Sequence, residues 1–110
     1  MKIAYVAGKY RGKAPSDIYD NIAKARDVAI KLWKLGYATI CPHLNTQFMD
    51  GIVPDDSFLK GDLEIIERCD LVVVVDNWED SEGAKAEVIL ANIKGIPAFE
   101  FNKKGKLYSL

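Results

Sequence analysis

Two carboxylates stand where packing alone would not put them. On a helical wheel of about 100° per residue, Phe58, Leu59, Leu63, Ile65 and Ile66 define one apolar arc of a helix over 55–68, and Asp62 falls inside it. A carboxylate on a buried face is unfavourable unless it is paired or hydrogen-bonded. Asp62 therefore has either a buried partner or a place at the floor of a ligand site. In the segment 82–94, Ala84, Ala86, Val88, Ile89, Leu90, Ala91 and Ile93 leave little polar face, and Glu87 lies between Leu90 and Ala91 on the wheel. Helical side chains lean toward the N-terminus, so the Glu87 carboxylate should reach over Gly83 and Ala84. Both are small and leave open space above the acid. The plainer alternative is a partly exposed helix acid.

Two further features border these acids. Gly8-Lys9-Tyr10-Arg11-Gly12-Lys13 follows a strand-like run and precedes a helix, as phosphate-binding loops do. It is neither a GxGxxG dinucleotide fingerprint nor a P-loop, because no GK[ST] follows. Two glycines allow close backbone approach, and Arg11 between them is the best placed side chain to fork onto a phosphate. An ordinary tight turn with solvated lysines is the competing account. Ser81 is placed to cap the 82–94 helix, with Gly83 in its first turn, and free N–H groups there suit an anion. A paired-carboxylate site beside an anion-ready loop and helix start points to glycosidic chemistry. One acid attacks or stabilises an oxocarbenium-like carbon while the other handles the proton of the leaving group.

The elements that must position these residues read as β-α-β-α-β-α-β. Residues 2–7 are apolar on both faces, as a buried strand is, and stop at Gly8. A helix over 17–36 carries the stripe Ile18, Ile22, Ala25, Ala29 and Leu32; Ser16 or Asp17 can cap it and Gly36 closes it. Strands are expected at 37–41, 70–75 and 96–101, with irregular chain at 42–54 and a loop at 76–81. Right-handed crossovers then give a doubly wound parallel sheet of four to five strands, order 2-1-3-4, with helices on both faces. Ligands bind at the switch point of such a sheet, here beyond the C-terminal ends of the first and third strands. The 42–54 loop, with His43 and Asn45, should border the same crevice.

The chain has 110 residues, 49% of them hydrophobic, which fits one α/β domain over 1–110. Fifteen Lys and Arg face sixteen Asp and Glu, a formal net charge of -1, which argues against a surface built to coat nucleic acid. Cys41 and Cys69 each adjoin an apolar strand and form no CxxC pair, as expected of buried thiols in a reducing cytosol. His43 is the only histidine, so a His-based metal site is not expected. The start lacks a signal-peptide pattern and no apolar run is long enough to span a bilayer, so a cytoplasmic protein is expected.

The chain resembles the nucleoside 2-deoxyribosyltransferase-like superfamily, including the 2'-deoxynucleoside 5'-phosphate N-hydrolases. The resemblance rests on the order and spacing of YVAGKYRG (Tyr5 to Gly12), GDLEIIERCDLVVVV (Gly61 to Val75) and DSEGAKAE (Asp80 to Glu87), and it covers nearly the whole chain. It implies that Glu87 is the nucleophile at C1' of a deoxyribose, that Asp62 assists the departing base, and that Tyr5 orients the nucleophile. It further implies that Gly8, Arg11, Gly12, His43, Asn45, Ser81 and Gly83 bind substrate. Ser81 and Arg11-Gly12 together tilt the expected substrate toward a 5'-monophosphate. Departures are Lys9 and Tyr10, in place of smaller loop residues, and Trp78-Glu79-Asp80 before Ser81. The resemblance also implies no metal or organic cofactor, a small nucleoside or nucleotide as partner, and a homodimer or higher homo-oligomer, and it leaves open whether the tail 106–110 completes a neighbour's site. Two other classes are compatible with the residues. One is a non-catalytic nucleotide-binding or sensing module. The other is a structural subunit in which internal partners neutralise both acids.

Overall fold

A computed structural model describes all residues 1–110. Its centre is the run Leu71–Val74, β3, four aliphatic residues buried on both faces. Such a strand is stable only where both faces of a parallel sheet are covered. β3 lies between β1 (Ile3–Ala7) and β4 (Ala98–Phe101), pairing in parallel with both, and β1 pairs in parallel with β2 (Ala38–Ile40). The sheet order is β2-β1-β3-β4-β5, so the switch point lies between β1 and β3 as expected.

Alternation along the strands sends side chains to two cores. Ala4, Val6, Leu71 and Val73 pack under α1 (Ser16–Lys34), which contributes Ala25, Ala29 and Leu32. Tyr5, Ala7, Val72 and Val74 face the other way, against Ile66 of α3 (Asp55–Ile66) and Val88 and Ala91 of α4 (Glu82–Ile93).

Three segments differ from expectation. The tail folds back as β5 (Leu107–Ser109), antiparallel to β4. Its turn is made by Gly105 at φ +75° and by the Asn102 side chain, which accepts from the Lys104 and Lys106 N–H groups at 2.9 and 3.0 Å. The stretch after β2 is not wholly irregular. Pro42 starts one helical turn, α2 (Pro42–Asn45), where proline's missing N–H is harmless. The α1 start uses neither expected cap: Pro15 is the cap residue, and Asp17 Oδ2 accepts from the Ala14 N–H at 3.0 Å. No helix is long and apolar enough to cross a membrane.

Candidate functional site

The C-terminal ends of β1 and β3 open into a cavity of about 440 Å³, the size range of small-molecule sites. Its walls come from the loop after β1 (Gly8–Arg11), from α2 and the chain after it (Pro42, His43, Thr46, Asp50), from the first half of α3, and from the start of α4 (Ser81–Ala84). Glu87 is buried at its floor and Asp62 stands on the α3 wall.

Glu87 is held by one partner. The fully buried Tyr5 side chain, rising from β1, donates its hydroxyl to Glu87 Oε2. Burial pushes the Glu87 carboxyl up to about 8, the Tyr5 hydrogen bond opposes the rise, and the Asp62 charge adds to it. Burial first, then Glu87 and Asp62, hold the Tyr5 phenol well above its ordinary value, so it stays protonated and remains a donor. Asp62 makes no hydrogen bond or ion pair within the chain, and burial alone raises it to about 6. The Asp62 charge thus bears on Glu87 within the cavity, and no cation neutralises either acid. This removes the internal ion pairing that a purely structural role would require.

The start of α4 is built as its sequence suggests. Ser81 caps the helix, its Oγ accepting from the Ala84 N–H at 3.1 Å. A Cβ added at Gly83 would meet only Ser81 Oγ, at 3.8 Å. The space above Glu87 is therefore open because residue 83 has no side chain.

The first loop is held tightly. At Gly8 a Cβ would come within 2.6 Å of Val75 Cγ2, so only glycine lets the loop leave β1 this close to β3. Arg11 does line the cavity, but its guanidinium is engaged. It donates to Asp55 through Nε and Nη2 at 3.1 and 3.0 Å, and this pairing raises the already high Arg11 pKa further. Tyr10 Oη donates to Asp50, with both carboxylate oxygens 2.8 to 2.9 Å away. Two side chains of the first loop are thereby strapped to the segment before and at the start of α3. His43 is buried; its Nε2–H donates to the Lys9 carbonyl at 2.9 Å, and burial lowers its pKa. That bond fixes the neutral ring with its hydrogen on Nε2, and Nδ1 is left buried without a partner.

Seven of the nine singled-out groups outside the β1 core are thus traced. Gly8, Arg11, His43, Asp62, Ser81, Gly83 and Glu87 all line the cavity. Tyr5 acts from behind, through Glu87. Gly12 and Asn45 are placed elsewhere. Gly12 faces a second, smaller recess and packs on Asp17, while Asn45 is exposed and Thr46, one residue on, faces the cavity. Lys9, Tyr10, Asp50, Asp55, Phe58 and Leu59 also stand on the cavity wall, although their types and spacing did not mark them as site residues. Phe58 and Leu59 were read as core residues of an apolar arc; they are half-buried and form the wall instead. No group of three or more His, Cys, Asp or Glu side chains is placed to hold a metal ion.

A doubly wound sheet with a buried glutamate and an unpaired aspartate in one crevice makes that crevice a candidate small-molecule site. The chain belongs to the family described as a domain of unknown function, DUF4406, whose model matches residues 1–99. No curated protein matches it. Among solved structures it is similar to the 2-deoxyribosyltransferase of Bacillus psychrosaccharolyticus, with a TM-score of 0.69 and 21% identity over 96% of this chain and 76% of that one. It is also similar to the 2-deoxyribosyltransferase of Leishmania mexicana, with a TM-score of 0.60 and 17% identity over 93% of this chain and 66% of that one. At these identities the likeness establishes a shared fold.

Proposed function

We propose that the protein breaks the N-glycosidic bond of a 2'-deoxynucleoside 5'-monophosphate, with Glu87 as nucleophile, and passes the sugar to water or to a second base. The observation that carries this is the buried Glu87 carboxyl, oriented by Tyr5 and facing an unpaired Asp62 across an open cavity. Ionised Glu87 attacks C1'. The C1'–N bond breaks, its electron pair leaves with the base, and protonated Asp62 supplies the proton. Water then adds at C1', Asp62 takes its proton, and the sugar–Glu87 ester breaks to restore the carboxylate. These steps call on no metal or organic cofactor. The fold shared with two 2-deoxyribosyltransferases supports the same class of reaction.

The 5'-phosphate would be received by Lys9, by Arg11 and by the Ser81–Gly83 start of α4, with Arg11 exchanging Asp55 for the phosphate. A second reading, an unphosphorylated 2'-deoxynucleoside, has its own support. Seven carboxyl side chains line the cavity against two cations, and one of those cations is already paired. That field disfavours a dianion. A homo-oligomer remains part of the proposal, and sedimentation of the pure protein checks it. Mass spectrometry after incubation with slow deoxynucleoside substrates tests the mechanism. The expected result is a deoxyribosyl adduct, with or without phosphate, mapping to Glu87. An adduct on another residue overturns the role given to Glu87.

A further inference from the structure

The loop between β1 and α1 carries three cavity-lining side chains, yet it has no regular structure of its own. Three backbone groups of Lys9 and Tyr10 are nevertheless fixed by side chains from distant segments. The Lys9 N–H donates to Asn77 Oδ1 at 3.1 Å. The Lys9 carbonyl accepts from His43 at 2.9 Å. The Tyr10 carbonyl accepts from Asn21 Nδ2 at 2.8 Å. The two asparagines are themselves joined, Asn77 Nδ2 donating to Asn21 Oδ1 at 3.1 Å.

The two amides therefore form one unit with its donors and acceptors matched. Each asparagine uses its oxygen and its nitrogen once, and the open ends of the pair grip the loop on either side of Lys9 Cα. Asn21 is buried on α1, at 8% exposure, on the stripe that otherwise carries apolar residues. A buried amide is unfavourable there unless its polar atoms are hydrogen-bonded, and this one bonds the loop through Nδ2 and Asn77 through Oδ1. Both asparagines line the smaller recess behind the loop and neither lines the main cavity. They are placed to hold the loop, and they are not placed to touch a ligand in the cavity.

We infer that Asn21 and Asn77 are positioning residues: they lock the Lys9–Tyr10 segment and so set where Lys9, Tyr10 and Arg11 meet a bound substrate. The inference rests on the proposed function for what is bound, and on the hydrogen bonds alone for the clamp. Glu87, Tyr5 and Asp62 sit on α4, β1 and α3, outside the clamp. Loosening the loop should therefore weaken binding far more than it slows the chemical step.

The test uses two variants of the full chain. Asn77→Ala removes the centre of the clamp at a half-buried site. Asn21→Asp keeps the volume and the acceptor for Asn77, and turns the donor facing the Tyr10 carbonyl into an acceptor. The second variant keeps the question open to an answer should the first fold poorly. Deoxynucleoside monophosphates and deoxynucleosides are assayed for base release, and backbone hydrogen exchange is followed at Lys9. The expected result is a KM raised about tenfold in both variants, kcat changed by less than about threefold, and Lys9 N–H exchange faster by about tenfold in Asn77→Ala. The Ala84 N–H, capped by Ser81, should exchange as before. Wild-type KM in both variants, equal loss in kcat and KM, or unchanged exchange at Lys9 would overturn the inference. A wild-type protein that releases no base defeats the proposed function instead, and the exchange measurement then decides the clamp by itself.

Discussion

Helices α1 and α3 each carry an apolar face, and the two faces do different work. α1 buries five residues, Asn21, Ile22, Ala25, Ala29 and Leu32, along its length against the sheet. α3 buries only Ile66, in its last turn. Its first two turns stand off the sheet, where Phe58, Leu59 and Asp62 form a cavity wall. The same sequence pattern thus describes a core-facing stripe in one helix and a site-facing stripe in the other. The difference lies in the polar residue within each stripe. Both polar atoms of the Asn21 amide have a partner, whereas the Asp62 carboxylate has none. An unpaired polar group on an apolar stripe marks the face that looks into a cavity.

The largest effect that could break this contrast is on stability. Leu32→Ala, on the sheet-facing side of α1 and fully buried, should cost about 3 kcal/mol. Phe58→Ala should cost about 1 kcal/mol or less, because its half-exposed ring packs on no closed core, and should instead weaken substrate binding. Equal losses in chemical denaturation would mean that α3 is packed as α1 is. Next comes the charge at the cavity floor. Glu87 ionises near 8 in the folded chain but near 4.5 when unfolded. Between those values the folded state holds the extra proton, so stability falls as pH rises through the window. Glu87→Gln keeps an acceptor for Tyr5 and cannot ionise. It should be more stable than wild type by about 2 kcal/mol at pH 9 and little different at pH 4, which thermal melts at the two pH values check.

A smaller effect concerns Tyr5. In the wild type, kcat/KM should be bell-shaped and peak near neutral pH. The active form, ionised Glu87 with protonated Asp62, is a minority species when the two titrate near 8 and 6; its share rises up to about pH 6, holds level, and falls above about 8. Tyr5→Phe removes the hydrogen bond that favours the Glu87 carboxylate. Activity should fall about tenfold, and the alkaline limb should move to higher pH. An unmoved alkaline limb would detach Tyr5 from Glu87. The smallest effect is at Gly83. Gly83→Ala should stabilise α4 by up to about 1 kcal/mol while raising KM, because the new methyl enters the cavity without meeting the fold. Lower stability with unchanged KM would put Gly83 in a structural role.

Much of this was legible in the sequence for identifiable physical reasons. The run LVVVV can only be a strand buried on both faces, so the crossover order, the switch point and the crevice followed. Ser81 and Glu87 were readable because capping and wheel position are local properties. β5 left a signal that passed unread, since Asn102 and Gly105 are turn residues between two short apolar runs. Asn21 left one too, because it interrupts an apolar stripe as Asp62 does. The Tyr10–Asp50 and Arg11–Asp55 contacts left none. They join residues 40 and 44 apart, and no periodicity links a loop to a helix start that far along the chain. For the same reason the sequence could suggest Arg11 as a candidate phosphate ligand but could not show it as a residue already holding Asp55.

The central claim is that Glu87 carries the reaction, and base release measures it most directly. Deoxynucleosides and their 5'-monophosphates are incubated with the wild type and with Glu87→Gln, and free base is quantified. The account predicts release by the wild type and a rate at least about 10³-fold lower for the variant. Equal release by the two proteins, or none by the wild type from any member of the panel, would contradict it.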